Sequence, residues 1–267
     1  MTSSIGTVGI IGGSGMLGRA IAHALLRSGT IAPERLWISN RSGNSAGLEA
    51  SPAINITTNN QELVKACDTV LLSVPPKDAA AIGIGIDARN KLVASVMAGV
   101  SLQKLQDLTG AARVVRAMSS PAAEFSLAYS PWTASAAVTG EDRNVIAALF
   151  GACGTTDEVP DEPQIEIFTA ITGPVPGFVA YFAACMSDYA VTRGIDPTVA
   201  DKSIRQLFLA AGHMMAEGTM TPTGHVQQMI DYAGTTAAGL NTMASSDISD
   251  AIAAGLDAAV EKTRQIG

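Results

Sequence analysis

"VGIIGGSGMLGRAIAHALLRSG", residues 8–29, joins a short apolar run to a helical stretch through a cluster of glycines. Residues 13–18 fit the pattern G-x-G-x-x-G, and they follow a predicted strand and open a predicted helix. Glycines at such a turn let backbone N–H groups approach a pyrophosphate, whose charge the helix N-terminus stabilises. We therefore expect a dinucleotide to bind at this turn, on Gly13, Ser14, Gly15, Met16, Leu17 and Gly18. The alternative is a glycine-rich turn that binds no ligand.

The end of the second predicted strand indicates which dinucleotide binds. A site that prefers NAD ends this strand with Asp or Glu, which binds the ribose 2′-hydroxyl. Here the strand ends in Asn40, Arg41 and Ser42. No carboxylate stands there to repel a 2′-phosphate, and the arginine can pair with it. We predict NADP(H) as the cofactor, with the alternative that Arg41 is an ordinary solvated surface residue.

Short apolar strands alternate with helical segments through the first part of the chain. The strands are predicted at 7–12, 35–40, 68–74, 91–99, 112–118 and 133–140. This alternation is typical of a parallel sheet covered on both faces. From about residue 163 the chain reads as helical. The predicted fold class is α/β, with a Rossmann-type doubly wound sheet in residues 1–162 and an all-α domain in residues 163–267.

Two segments of the helical part carry specific signals. Residues 176–194 have apolar side chains on most sides, which suits a helix that is buried all round. Residues 196–218 begin with Asp196 as N-cap and Pro197 at the first helical position, and they stop at Gly218. A domain this small and apolar leaves surface that a second copy of the chain would cover.

Composition argues against several classes of protein. A net charge of −7 is unlike a nucleic-acid binder, which normally has a basic face. No run of about eighteen apolar residues is present, so we expect no membrane span. The three cysteines are scattered without C-x-x-C spacing, which favours free buried thiols and a cytoplasmic protein. The three histidines are equally dispersed, and we expect no metal site.

Four segments occur in an order and at intervals that match a known family. They read "GIIGGSGMLGRAI" (9–21), "SVMAGVSLQKLQDLTGAARVVRAM" (95–118), "TAITGPVPGFV" (169–179) and "AGTTAAGL" (233–240). They resemble pyrroline-5-carboxylate reductase, the enzyme that makes proline by reducing a cyclic imine. Because the resemblance covers nearly the whole chain, the sequence is identified as a member of that superfamily.

The resemblance implies a particular assembly and further cofactor contacts. A helical dimerisation domain follows the Rossmann domain, and its helices interleave with those of a partner subunit in a homodimer. Whether a larger oligomer forms is left open. Positions that match the family's cofactor-binding loops are Val74, Pro75, Ala98 and Gly99.

The resemblance also implies where the substrate, a small cyclic imino acid, binds. Gly234, Thr235 and Thr236 hold its carboxylate through backbone N–H groups and a hydroxyl, and Thr236 is also a candidate partner of the imine nitrogen. Ser119 and Ser120 stand where the family has M-P-N-T-P and are further candidates for substrate binding. The implied reaction is hydride transfer from NADPH to 1-pyrroline-5-carboxylate, giving L-proline. It needs little acid–base machinery because a protonated iminium is strongly electrophilic.

Departures from the family pattern cluster around the expected pocket. The residues before the Gly-Thr-Thr loop read Ile-Asp-Tyr-Ala (230–233) where the family has T-S-P-G. One alternative is therefore a reductase for another cyclic imine, a piperideine or a pyrroline-2-carboxylate. A second alternative is a family member that binds the cofactor without catalysis. A β-hydroxyacid dehydrogenase would need a lysine on the long helix, and residues 176–193 contain none.

Asp231 is the candidate catalytic acid, either donating a proton or contacting an amine close to the reacting nitrogen. The alternative is that Asp231 caps the following turn and faces water. Tyr232 is interpreted as a packing residue, with the alternative that it is an acid catalyst.

Replacing Asp231 by Asn separates these interpretations. If the carboxylate takes part in the reaction, D231N changes the dependence of turnover on pH, because an amide cannot exchange that proton. The measurement is steady-state turnover of NADPH with 1-pyrroline-5-carboxylate across the neutral range, with Tyr232→Phe as the neighbouring control. An unchanged profile would remove Asp231 from the mechanism.

Overall fold

The computed structural model describes residues 5–45, 47–76 and 86–266. These residues fall into two compact units, the first within Met1–Val175 and Ala258–Gly267 and the second Pro176–Asp257. The domain boundary that the sequence places between residues 162 and 163 stays a prediction.

The described strands of the first unit are β1 Val8–Ile11, β2 Leu36–Ser39, β3 Asn55–Thr57, β4 Thr69–Leu72, β5 Leu92–Ser95, β6 Arg113–Ala117, β7 Ala128–Tyr129, β8 Trp132–Ala134 and β9 Gly154–Thr155. Seven of them form a sheet in the order β3-β2-β1-β4-β5-β6-β8. Its strand pairs are parallel except for the antiparallel edge pair β6–β8. The short strands β7 and β9 form a separate parallel pair. The order of the strands reverses between β1 and β4, so a crevice opens at their carboxyl ends.

Helices cover both faces of this sheet. Val8 and Ile10 of β1 belong to one buried apolar cluster and Ile11 belongs to another, because successive side chains of a strand point to opposite faces. The predicted fold class is thereby confirmed. The described helices are α1 Met16–Arg27, α2 Asn60–Ala66, α3 Leu102–Thr109, α4 Gly140–Gly151, α5 Glu162–Ile171, α6 Gly177–Thr192, α7 Pro197–Glu217, α8 Pro222–Asp231, α9 Thr235–Ala244 and α10 Ile248–Ile266.

The predicted strand at 133–140 is largely wrong. The chain is extended only over Trp132–Ala134 and then enters α4 through a capping box at Thr139. The Thr139 side chain accepts a hydrogen bond from the Asp142 backbone N–H, and the Asp142 carboxylate accepts one from the Thr139 backbone N–H. Reciprocal caps of this kind satisfy two donors that a helix start otherwise leaves free, and they fix where the helix begins.

A buried arginine ties several elements of the first unit together. Arg116 in β6 is 3% exposed, and its Nη1 lies 3.0 Å from Glu162 Oε1 on α5. The same carboxylate oxygen accepts a hydrogen bond from the Leu102 backbone N–H, at the start of α3. Glu166, one turn further along α5, lies 3.8 Å from Arg116 Nη2 and accepts a hydrogen bond from Arg264 Nε at 2.9 Å. The end of α10 is thus held to the sheet domain by charge.

The second unit consists of α6 to α9 and the first part of α10. Asp196 caps α7 as predicted, accepting hydrogen bonds from the backbone N–H groups of Thr198 and Val199. The expectation that the helix at 176–194 is buried all round is wrong for the single chain, because α6 has no buried residue. Phe182 packs edge-on against Phe208 of α7, with 6.2 Å between ring centroids, whereas Tyr181 is 75% exposed. A few helices enclose too little interior to cover every apolar side of α6.

The cysteines are free thiols, as predicted. Burial raises the pKa of both Cys67 and Cys153 to about 12, because the apolar surroundings disfavour a thiolate. Cys185 on α6 is exposed, so the expectation of burial is wrong for this residue. In the part of the chain that is described, no helix combines the length and the apolar character needed to cross a membrane.

Replacing Glu162 by Ala leaves the buried Arg116 guanidinium facing Glu166 at 3.8 Å. We expect E162A to lower the free energy of unfolding by about 2 kcal/mol, less than for a fully buried pair because Glu166 remains. Urea denaturation at one fixed protein concentration measures the change. Asp201→Ala is the control, because it breaks an exposed pair with Arg205 on α7 that contributes little. Equal effects of the two substitutions would contradict the prediction.

Candidate functional site

An open groove of about 460 Å³ lies at the carboxyl ends of β1, β2 and β4, where the strand order reverses. Six predicted cofactor residues line it: Ser14, Gly15, Asn40, Arg41, Val74 and Pro75. Six residues that were not predicted line it as well: Ile11, Gly12, Ser39, Thr58, Asn60 and Ser73. The other predicted cofactor residues are outside this lining: Gly13, Met16, Leu17, Gly18, Ser42, Ala98 and Gly99. Among the residues that the structure describes, the lining includes Arg41 and no carboxylate.

The glycine turn is shaped by two close backbone approaches. Gly12 has φ +84°, and a Cβ added there would lie 2.3 Å from the Ser73 carbonyl oxygen. A Cβ on Gly18 would lie 2.6 Å from the Gly12 carbonyl oxygen. The Gly15 backbone N–H donates to that same oxygen at 3.0 Å and closes the turn. Only glycine satisfies both the conformation and the space at Gly12.

The N-terminus of α1 has no side chain that occupies its free backbone donors. Gly15 is its N-cap and supplies no side-chain hydrogen bond, and the first turn holds no acidic residue. The Gly15 and Met16 side of the turn is exposed, with Met16 at 68%. The N–H groups and the positive end of the helix dipole therefore suit an anion such as a pyrophosphate.

Asn40 and Arg41 at the end of β2 have different roles. The Asn40 side chain folds the loop that follows: its Oδ1 accepts from the backbone N–H groups of Ser42 and Gly43, and its Nδ2 donates to the Asn44 carbonyl. Arg41 is exposed and makes no hydrogen bond or ion pair with any described residue. Asn40 thus builds a loop that leaves the Arg41 guanidinium available to a ligand.

Asn60 and Ser39 face the same end of the groove. The Ser39 hydroxyl donates to Asn60 Oδ1 at 2.5 Å. Asn60 begins α2, directly after β3, and the residue type alone gives no sign of its role. Sequence reasoning missed it because β3 is a three-residue strand that the apolar pattern does not reveal. Once β3 is recognised as a parallel strand, the residues that follow it lie at the carboxyl end of the sheet, where a ligand binds in such folds.

The residues that follow β5 and β6 include the predicted cofactor residues Ala98 and Gly99 and the predicted substrate residues Ser119 and Ser120. Ala98 and Gly99 are half-buried, and Gly99 has φ +73°. Ser119 and Ser120 are 3% and 1% exposed. The Ser119 hydroxyl accepts a hydrogen bond from the Ser130 hydroxyl at 2.9 Å, so it is already engaged inside the first unit.

The Gly-Thr-Thr loop of the second unit lies between α8 and α9. Gly234 is the N-cap of α9 without a side-chain hydrogen bond, and Thr235 and Thr236 are exposed in its first turn. This helix start has the open donors that a carboxylate needs. Asp231 Oδ1 accepts a hydrogen bond from Gln227 Nε2 at 2.8 Å, one turn earlier in α8. Asp231 is exposed, and no described residue of the following turn donates a hydrogen bond to it. Its part in the reaction stays a prediction.

Both halves of the chain match family models. Residues 162–266 match the model described as "Pyrroline-5-carboxylate reductase dimerisation". Residues 7–99 match the model described as "NADP oxidoreductase coenzyme F420-dependent", which covers the glycine turn and the groove.

Similar proteins cover the chain almost completely. A pyrroline-5-carboxylate reductase of Methanosarcina acetivorans is 30% identical over 266 residues, covering 97% of each chain. The structure of a pyrroline-5-carboxylate reductase from Coxiella burnetii superposes with a TM-score of 0.87 at 23% identity, covering 98% of this chain and 99% of that one. A pyrroline carboxylate reductase from Plasmodium falciparum with NADP bound gives 0.81 at 23% identity over 98% of each chain.

Replacing Arg41 by Ala removes the cation that lines the groove. Because a hydrogen bond to a charged group contributes about 2 kcal/mol, we expect NADPH to bind at least about tenfold more weakly while NADH is little affected. Titration of cofactor fluorescence measures both dissociation constants. Arg89→Ala is the control, since Arg89 is an exposed arginine paired with Asp87. Tighter binding of NADH than NADPH by the unaltered protein would contradict the assignment of Arg41.

Proposed function

Since the chain belongs to the pyrroline-5-carboxylate reductase family, we propose that it reduces 1-pyrroline-5-carboxylate to L-proline with NADPH. The reaction is an NAD(P)H-dependent reduction of a C=N bond. The observation that carries this conclusion is similarity over 97% of the chain to a reductase of that name. The groove at the sheet's switch point has a glycine turn and no carboxylate among its described lining residues, which supports a dinucleotide that carries an extra phosphate.

The groove residues divide between the parts of the cofactor. The turn from Gly12 to Gly15 and the start of α1 hold the pyrophosphate through backbone N–H groups. Arg41 pairs with the 2′-phosphate at the end of β2. Val74 and Pro75, on the other side of the switch point, border the nicotinamide half. When bound, NADPH supplies the hydride, and these residues orient it and exclude water.

The substrate is a small anion, and the loop before α9 suits it. The uncapped backbone N–H groups of Thr235 and Thr236 bind its carboxylate, and the Thr236 hydroxyl hydrogen-bonds the imine nitrogen. Gly234 leaves space at this helix start because it has no side chain. Ser119 and Ser120 are further candidates for substrate binding and are buried in the first unit. Asp231 is the candidate proton donor.

The active molecule is a homodimer that forms through the helices after residue 162, where the dimerisation model matches. Apolar side chains on α6 are exposed in the single chain, and a second copy covers them. Whether dimers associate further is left open. The free thiols favour the cytoplasm, where cysteines stay reduced.

One alternative has a specific basis. The sequence Ile-Asp-Tyr-Ala (230–233) departs from the family pattern, and Tyr232 is 84% exposed beside the Gly-Thr-Thr loop. A different side chain at this place favours a different ring size, so a piperideine or a pyrroline-2-carboxylate is the second candidate substrate. A non-catalytic role is the remaining alternative.

A comparison of five- and six-membered cyclic imino acids tests the substrate. One extra methylene in a fitted pocket changes kcat/KM by about tenfold or more, so we expect 1-pyrroline-5-carboxylate to exceed the six-membered analogue by at least that factor. The oxidation of NADPH, followed as the loss of absorbance at about 340 nm where reduced nicotinamide absorbs, gives both values of kcat/KM.

Replacing Thr236 by Val tests the hydroxyl, because valine keeps the side-chain volume and removes the hydroxyl group. We expect turnover to fall by about a hundredfold while NADPH still binds.

In the comparison of substrates, a higher kcat/KM with the six-membered ring would replace the assigned substrate. NADPH binding without oxidation of either imine would favour the non-catalytic alternative.

A further inference from the structure

Ser39 is a buried polar residue with a distant partner. It is the last residue of β2, pairs with Ile11 of β1 and Thr57 of β3, and is 3% exposed. Its hydroxyl donates a hydrogen bond of 2.5 Å to Asn60 Oδ1, across 21 residues of sequence. Both residues line the groove at its adenosine end, beside Arg41.

This hydrogen bond fixes the orientation of the Asn60 carboxamide. A carboxamide has an acceptor oxygen and an amino group with two donors, and the two can exchange places by rotation. With Oδ1 held by Ser39, the amino group is the end left for a ligand. Asn60 Nδ2 has no hydrogen-bond partner among residues 5–45, 47–76 and 86–266.

The charges around Asn60 favour an anionic acceptor. Among the described residues, Arg41 has no partner and no carboxylate lines the groove. The carboxylate of Glu62, two residues further along the same helix, is engaged by the Thr57 hydroxyl. The groove therefore presents a cation and a neutral donor side by side, which matches the oxygens of a phosphate.

We propose that Ser39 is a positioning residue for cofactor choice, which holds the Asn60 carboxamide with its amino group turned to the 2′-phosphate of NADPH. The proposal rests on the proposed function for the identity of the cofactor. Without the Ser39 hydroxyl, the carboxamide is free to turn and present its oxygen, which repels a phosphate. NADH has no 2′-phosphate, so its binding depends little on this orientation.

The test uses Ser39→Ala in the full-length protein, with Ser39→Thr as the variant that keeps the hydroxyl. We expect S39A to raise the dissociation constant and the KM of NADPH about fivefold or more, and by a larger factor than it lowers kcat. The dissociation constant and KM of NADH should change less than about twofold in S39A. S39T, which keeps the hydroxyl, should give the dissociation constant and KM for NADPH of the unaltered protein. Equal weakening of both cofactors would mean a structural role and would overturn the proposal.

A double-mutant cycle with Asn60→Ala shows whether the effect passes through Asn60. If it does, S39A/N60A binds NADPH no more weakly than N60A. Additive losses would overturn the proposal.

Asn60→Asp covers the case in which S39A does not fold, because it preserves shape and leaves Ser39 intact. The aspartate presents only acceptors, so we expect the preference for NADPH over NADH to disappear; a retained preference would count against the proposal.

Direct binding keeps this inference distinct from the proposed function. An unaltered protein that binds NADPH but reduces no imine contradicts the proposed reaction and leaves the Ser39 comparison valid. An unaltered protein that reduces the imine, with NADPH binding insensitive to S39A and N60D, contradicts the Ser39 inference alone.

Discussion

The carbonyl oxygen of Ser73 approaches the backbone of Gly12 so closely that no side chain fits between the ends of β1 and β4. These two neighbouring strands are the ones between which the strand order of the sheet reverses. The Gly12 carbonyl then accepts the Gly15 N–H and packs against Gly18, which sets the direction in which α1 leaves the turn. The groove and its open helix start both follow from this single close approach.

Local features of the first unit could be predicted from sequence. The first strand, glycine turn and helix form one continuous stretch whose pattern has a physical reason at every position. Gly12, the most constrained residue of the turn, lies just outside the G-x-G-x-x-G pattern, and its conformation depends on Ser73, sixty-one residues later. Asn60 was missed because β3 has three residues and no apolar run, so nothing in the pattern places Asn60 at the ligand edge.

Partners that are distant in sequence account for the other differences. A helix that is apolar on all sides looks the same in sequence whether its own chain or a second copy covers it, and α6 turned out to be exposed in the single chain. Arg116 lies in a segment that resembles the family, but its burial against Glu162 depends on a helix that begins forty-six residues further on. The interpretation of 133–140 as a strand overlooked Thr139 and Asp142, whose reciprocal cap starts α4.

The ion pair between Glu166 and Arg264 has a consequence for how the protein is made. Residues 258–266 belong to a unit whose other residues precede residue 176, so they are synthesised after the whole sheet. The sheet domain therefore emerges during translation with Glu166 not yet paired to Arg264, and the end of α10 docks onto that domain only later.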